Sequence, residues 1–202
     1  MSAIQRFYEE ITYMLYIMRH GKTDWNVSHK LQGRTDIELN DEGRKMAEEA
    51  AIIYKNIHFD ICYCSPLKRA KETAEIFLDG RNIPIVCDDR LKEMSFGKYE
   101  GMESNFLDAD KYMKYDSQIN ILFDSPEKYI APDDGETFSD LYKRTGEFLK
   151  EIIEPQLRNG KDILIVGHGA MNSSIVCQVK NIALEHFWDA GIENCKLMKL
   201  CD

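Results

Sequence analysis

The sequence contains, at residues 162–169, the run DILIVGHG, in which a continuous apolar segment leads straight into a Gly-His-Gly turn. An apolar run without polar alternation is typical of a strand that is covered on both faces of a sheet. The stretch MLYIMRHG at residues 14–21 repeats the pattern, with Arg19 and His20 directly after the apolar residues. Two such strands, separated by helical patterns, indicate an α/β protein with a mainly parallel sheet.

The other segments of the chain alternate between helical and extended patterns. The helical patterns run from Asn40 or Asp41 to about Ile57, from Ser65-Pro66 to about Leu78, from Thr137 to a stop or kink near Pro155, and over residues 169–180. In the second of these, we expect Ser65 to be the N-cap and Pro66 the first helical residue. The extended patterns lie at residues 60–64, 83–87 and 196–200.

Residues 103–132 interrupt this alternation of helical and extended patterns. Their aromatic and acidic side chains predict a small helical insertion. We therefore expect a three-layer α/β/α fold with a mainly parallel central sheet and with the insertion, a cap, over the active site. The pattern shows no linker or repeat, so we expect a single domain over residues 1–202. Residues 1–13 would form an N-terminal extension of that domain.

The composition limits the class of ligand. The chain has 202 residues, 44% of them hydrophobic, and its formal net charge of −9 argues against broad binding to nucleic acid or to an anionic membrane. No apolar run is long enough to span a bilayer, and residues 1–13 lack the apolar core of a secretory signal. The six cysteines show no Cys-x-x-Cys spacing, so we expect reduced thiols and a cytoplasmic protein. The sequence leaves open whether the chain forms a homodimer.

Two of the five histidines, His20 and His168, are each followed by glycine and stand after a predicted strand. Because ligands bind beyond the carboxyl ends of parallel strands, the two imidazoles would face one crevice if their strands are neighbours. A neutral imidazole can attack phosphorus, and arginine binds phosphate oxygens with a two-pronged guanidinium. Arg19 and Arg69 are expected at the same edge of the sheet, and Glu93, on a nearby loop, is a candidate proton donor. Since the chain has no glycine-rich Walker loop, the pattern predicts phosphoryl transfer that is not driven by a nucleotide.

Several short motifs follow one another along nearly the whole chain after Met14. They are MRHGKTDWN (residues 18–26), LQGRTDIELNDEGRKMA (31–47), SPLKRAKETA (65–74), LKEMSFGKYEG (91–101), DDGET (133–137) and VGHG (166–169). In this order they resemble the motifs of the histidine phosphatase superfamily, the phosphoglycerate mutase-like proteins. The resemblance implies an enzyme that needs no metal and no cofactor.

The resemblance also implies roles for the chemistry-bearing residues. His20 would be the nucleophile that becomes phosphohistidine, and Glu93 the general acid and base. Arg19, Arg69 and His168 would form the phosphate pocket.

Six further residues are expected at the substrate. They are Thr23, Asn26, Gln32, Gly33, Gly169 and Ala170. For Gln32 and Gly33, a plain role in a turn is an equal alternative. The backbone amides of Gly169 and Ala170, at a helix start, are expected to donate to phosphate oxygens.

The family contains mutases and phosphatases, and the residues after Glu93 bear on the choice. Family mutases resemble one another in following the acid with Arg-His-Tyr-Gly, whereas this chain has Met-Ser-Phe-Gly at residues 94–97. Residues 102–137 hold three lysines against nine acidic residues, which disfavours highly anionic substrates such as bisphosphates. We therefore favour hydrolysis of a small phosphorylated metabolite. Mutase-type phosphoryl transfer and a non-catalytic phospholigand-binding module remain the alternatives.

Overall fold

The computed structural model describes residues 13–103 and 117–201. Its strands are β1 (Leu15–Arg19), β2 (Ile61–Cys64), β3 (Ile85–Cys87), β4 (Ile163–Gly167) and β5 (Leu197–Lys199). They form one sheet in the order β3-β2-β4-β1-β5. The first four strands pair in parallel, and β5 pairs antiparallel with β1. The predicted mainly parallel sheet is confirmed.

The helices of the described residues lie between and after these strands. They are α1 (Asp24–Val27), α2 (Asp41–Ile53), α3 (Lys68–Phe77), α4 (Ser117–Asp124), α5 (Phe138–Phe148), α6 (Glu154–Arg158) and α7 (Gly169–Lys180). Short 3-10 segments occur at Asp89–Leu91, Gly97–Tyr99, Pro126–Lys128 and Leu184–Ala190. In the described ranges, every helix is too short or too polar to cross a membrane.

Side chains of β1 and β4 alternate between two apolar layers. On one face, Ile17 and Ile165 pack in a cluster that includes Phe148 of α5 and much of α7. On the other face, Met18 and Val166 pack against apolar residues of α2 and α3. Both strands are therefore covered on both faces, which explains their continuous apolar sequences. The three-layer α/β/α fold is confirmed.

One predicted helix start is wrong. The helix α3 begins at Lys68, and its N-cap is Leu67, not Ser65. Ser65 instead accepts a hydrogen bond on Oγ from the Leu67 backbone N–H at 3.2 Å, which forms a separate turn before the helix. At the expected stop or kink near Pro155, a π-helical segment at Leu149–Ile153 separates α5 from α6, and Pro155 stands in the first turn of α6, where its missing N–H is tolerated.

The predicted insertion at residues 103–132 is described in part. Its second half contains α4 and the 3-10 segment Pro126–Lys128, as short helices were expected there. Residues 104–116 of the insertion, and residues 1–12 of the predicted N-terminal extension, lie outside the described residues.

Candidate active site

The ends of β1 and β4 bring the two His-Gly pairs together. These strands are direct neighbours, with Arg19 opposite Gly167. The His20 N–H donates to the Gly167 carbonyl at 2.9 Å, which extends the pairing one residue past the strand. The imidazole centroids of His20 and His168 lie 5.2 Å apart, and both side chains are buried. The two imidazoles therefore lie side by side at the carboxyl edge of the sheet, where His20 is among the described residues that line a cavity and the buried His168 is not.

The ring of His20 is held in one orientation. Its Nδ1 lies 2.6 Å from the Gly21 carbonyl oxygen. Because a carbonyl only accepts, we assign the proton to Nδ1, which leaves the lone pair on Nε2. Burial, together with the charges of Arg69 and Arg19, lowers the pKa of His20 well below its usual value. The imidazole is therefore neutral and nucleophilic at physiological pH.

The ring of His168 lies in a similarly buried and positively charged environment, but no hydrogen bond to the described residues fixes its orientation. Burial is the largest cause that lowers its pKa well below the usual value, followed by the charge of Arg69. Neither of its ring nitrogens has a hydrogen-bond partner among the described residues, although the side chain is fully buried. A buried polar group without a partner is costly, so this ring is suited to meet an oxygen of a bound ligand.

Two buried arginines supply the positive charge. Arg19 ends β1, and burial lowers its pKa. Arg69, in the first turns of α3, donates from Nη1 to the Thr35 carbonyl at 3.0 Å and from Nη2 to the Gly33 carbonyl at 2.8 Å. Burial lowers the pKa of Arg69 to about 10, against the opposing effect of the Glu93 carboxylate. The guanidinium therefore keeps its charge at neutral pH and can bind an anion.

Glu93 lies at the N-terminus of α7. Its Oε1 accepts from the backbone N–H of Met94 at 2.8 Å and of Met171 at 2.9 Å, and its Oε2 accepts from the Ala170 N–H at 3.2 Å. The N–H of Ala170, expected to face phosphate, thus donates to Glu93 instead, because the positive helix end attracts the carboxylate. Gly169 has no side chain between them: an added Cβ would lie 3.5 Å from Glu93 Oε2 and 3.7 Å from the Arg19 guanidinium. This places the carboxyl beside the predicted phosphate pocket.

Thr23 and Asn26 form a capping box on α1 rather than two parallel ligand contacts. Thr23 Oγ1 accepts from the Asn26 N–H at 3.2 Å, and Asn26 Oδ1 accepts from the Thr23 N–H at 3.0 Å. Among the described residues that line the cavity, Asn26 is present and Thr23 is absent. Thr23 therefore orients Asn26, whose amide reaches the cavity.

Gln32 and Gly33 belong to a turn and also line the cavity. The turn is closed by a bond from the Thr35 N–H to the Gln32 carbonyl at 3.1 Å. Gly33 has a φ of 53°, in the left-handed region that favours glycine. Gln32 Oε1 is buried and has no hydrogen-bond partner among the described residues, so this side chain can turn toward a ligand.

The cavity has a volume of about 410 Å³ and extends beyond the predicted residues. Sequence reasoning missed a group of lining residues: Lys30, Phe96, Phe123, Trp188, Ile192 and Asn194. Asn194 touches the nucleophile segment, since its Nδ2 donates to the His20 carbonyl at 2.6 Å. Only Phe96 stands within one of the recognisable motifs, so the others had no local signal.

Comparison with known proteins gives a consistent family. The model of the histidine phosphatase superfamily (branch 1) matches residues 15–201. The chain is 33% identical to a 2,3-bisphosphoglycerate-dependent phosphoglycerate mutase of Cytophaga hutchinsonii, over 85% of this chain and 79% of the relative. It is also 33% identical to the uncharacterized phosphatase PhoE of Bacillus subtilis, over 92% and 83%. The solved structure of Bacillus stearothermophilus YhfR has a TM-score of 0.82 and 32% identity, over 93% of this chain and 90% of that one.

Proposed function

The chain belongs to the histidine phosphatase superfamily, and we propose that it hydrolyses a small phosphomonoester through a phosphohistidine formed on His20. The observation that carries this proposal is the orientation of His20. Its Nδ1 is engaged with the Gly21 carbonyl, and Nε2 is left for attack in a cavity that both arginines also line, with the ring centroid of His168 5.2 Å away.

In the first step, His20 Nε2 attacks the substrate phosphorus and the bond from phosphorus to the ester oxygen breaks. Arg19, Arg69 and His168 bind the phosphoryl oxygens, whose charge is spread over the transition state. Glu93, which takes up a proton before this step, gives it to the leaving oxygen, so the product alcohol departs neutral.

In the second step, a water molecule replaces the alcohol. The Glu93 carboxylate takes a proton from the water as its oxygen attacks phosphorus, and the bond from phosphorus to Nε2 breaks. Inorganic phosphate leaves, Glu93 is protonated again, and His20 is neutral. The burial that lowers the pKa of His20 favours the neutral imidazole, which attacks in the first step and leaves in the second.

The loop after Glu93 supports hydrolysis over mutase-type transfer. Met94 and Ser95 stand where family mutases carry arginine and histidine, and Met94 is buried in the core. A mutase must hold a bisphosphorylated intermediate and exclude water, which calls for more positive charge around the site. Mutase-type transfer remains the second candidate because a relative with that name is as similar to this chain as a relative named a phosphatase.

The test compares three activities on the same purified protein. We expect release of inorganic phosphate from 4-nitrophenyl phosphate and from some members of a panel of phosphorylated metabolites. We also expect an acid-labile phosphoenzyme by mass spectrometry, absent in His20→Ala. Interconversion of 2- and 3-phosphoglycerate that exceeds phosphate release and is stimulated by the bisphosphate would establish the mutase instead. Phosphate binding with neither activity would indicate a binding module.

A further inference from the structure

Glu100 is a carboxylate that nothing in the proposed reaction uses, yet it has a dense set of hydrogen bonds. Its Oε1 accepts from the Arg34 N–H at 2.9 Å and from the Phe96 N–H at 3.2 Å. Its Oε2 accepts from the Thr35 N–H at 2.8 Å and also from the Thr35 hydroxyl. Four donors, three of them backbone amides, converge on one side chain. Such charge-assisted bonds are stronger than neutral ones and fix geometry well.

Three of these donors belong to the turn that holds Arg69. The carbonyls of Gly33 and Thr35 accept from the two terminal nitrogens of the Arg69 guanidinium. The same turn presents its N–H groups at residues 34 and 35 to Glu100. One face of the turn therefore binds the carboxylate, and the other binds the arginine. The Glu100 charge also acts on Arg69 directly, since it raises the pKa of the arginine against the effect of burial.

Gly33 makes this arrangement sterically feasible. A Cβ at Gly33 would meet Glu100 Oε1 at 2.0 Å, which no side chain could occupy. The glycine thus serves the approach of the carboxylate as well as the left-handed turn. Through Phe96, the same carboxylate also reaches the loop that carries Glu93 three residues earlier.

We propose that Glu100 is a positioning residue that orients the Arg69 guanidinium through the turn at residues 32–35 and thereby sets the affinity of the site for phosphate. The inference rests on the proposed function only in placing phosphate against Arg69. Without the carboxylate, the amides of Arg34 and Phe96 lose their acceptor, the Thr35 N–H keeps only the longer bond to the Gln32 carbonyl, and the turn relaxes. Its carbonyls then no longer hold the guanidinium in one plane.

The experiment measures binding of inorganic phosphate by titration calorimetry and, in parallel, KM and kcat. Glu100→Gln places an NH2 group against one set of N–H donors, and we expect phosphate to bind roughly tenfold more weakly, the scale of other residues that act through a site residue. We expect KM to rise by a similar factor. Thr35→Ala removes one of the four donors and should shift both quantities in the same direction by less.

Asp134→Asn is the matched control. The Asp134 carboxylate accepts from the Lys98 N–H at 3.2 Å, so it supports the same loop, but it has no bond to the turn at residues 32–35. We expect this variant to keep the phosphate affinity of the parent protein. A loss equal to that of Glu100→Gln would mean that general support of the loop explains the effect, and it would overturn the positioning role.

A double-mutant cycle with Arg69→Ala separates positioning from stability. If Glu100 acts through Arg69, then Glu100→Gln should have little further effect on phosphate binding once the arginine is gone. Losses that multiply, or an unchanged phosphate affinity in folded Glu100→Gln and Thr35→Ala, would overturn the proposal. Because phosphate binding needs no turnover, these outcomes stay distinct from a failure of the hydrolase proposal.

Discussion

The ends of β1 and β4 carry the same two residues, histidine then glycine, and the structure treats the two imidazoles differently. His20 is tied to its neighbour through a bond of 2.6 Å from Nδ1 to the Gly21 carbonyl. His168 has no such bond from either nitrogen within the described residues. In both histidines, burial is the largest cause of a lowered pKa.

The difference indicates that the same His-Gly motif is suited to two different roles at the two strand ends. A nucleophile needs one ring nitrogen fixed and the other directed at phosphorus, because a reacting atom must be held in line. A phosphate-binding imidazole needs free nitrogens that can adapt to an oxygen. The strand end of β4 also starts α7, whose N-terminal amides hold Glu93, so in the proposed reaction this end would supply both phosphate binding and proton transfer.

The variant His20→Ala tests the proposed difference between the two rings most directly. We expect turnover to fall by about 10⁴-fold or more, the scale on which loss of a catalytic nucleophile is felt, with the fold retained. Phosphate release and circular dichroism measure the two effects. Substantial residual phosphate release by the folded variant would show that the fixed imidazole is not the nucleophile.

The variant Glu93→Gln tests the proposed proton transfer by Glu93, which is held at the N-terminus of α7. We expect a loss of about 10²–10⁴-fold with alkyl phosphates, the usual range for a general acid. The loss should be smaller with aryl phosphates, because their leaving groups depart without a proton. The two kcat values measured side by side decide the matter. Equal losses on both substrates would point to a structural role for Glu93 as the cap of α7.

His168→Ala should cost less than loss of the nucleophile. We expect a decrease of about 10²–10³-fold in kcat/KM, comparable to removal of one donor that stabilises transition-state charge. The phosphoenzyme at His20 should still form, and mass spectrometry would detect it. If the modification disappeared from His20, the division of work between the two rings would be wrong.

Local sequence patterns predicted the central part of this site, and contacts across the chain completed it. The two apolar runs followed by His-Gly predicted parallel strands with His20 and His168 at their carboxyl ends, and the structure supplied the remaining condition, that β1 and β4 are neighbours. In contrast, Asn194 bonds to His20 across 174 positions, and Glu100 bonds to Thr35 across 65. Such contacts depend on how distant loops pack together, and neither hydrophobic periodicity nor a capping pattern predicts them.

Hydrogen-bond partners at turns and helix starts were also predicted poorly from the sequence. The Ser65-Pro66 pair matches a helix start, yet Leu67 occupies the cap and the serine closes a turn of its own. The Ala170 amide matches an anion site at a helix start, yet the chain supplies its own anion in Glu93. In both cases the sequence pattern predicted the correct kind of hydrogen bond but the wrong partner. Several donors or acceptors compete for each of these groups within a short distance.

The smallest predicted effect concerns stability, and there the two rings should behave alike. In the folded protein the pKa of each histidine lies well below its usual value, whereas in the unfolded chain each titrates near pH 6.5. Below that pH the unfolded state binds protons that the folded state does not, so the free energy of unfolding falls as the pH falls. Between pH 7.5 and 5.5 we expect each ring to contribute a loss of about 1 kcal/mol.

Urea unfolding at the two pH values, in phosphate-free buffer, measures this loss. The pH-dependent loss should shrink by a similar amount in His20→Gln and in His168→Gln, although the two differ widely in turnover. If only one of the two buried variants flattened the pH dependence, the rings would differ in protonation as well as in orientation. The comparison between the strand ends would then rest on charge rather than on geometry.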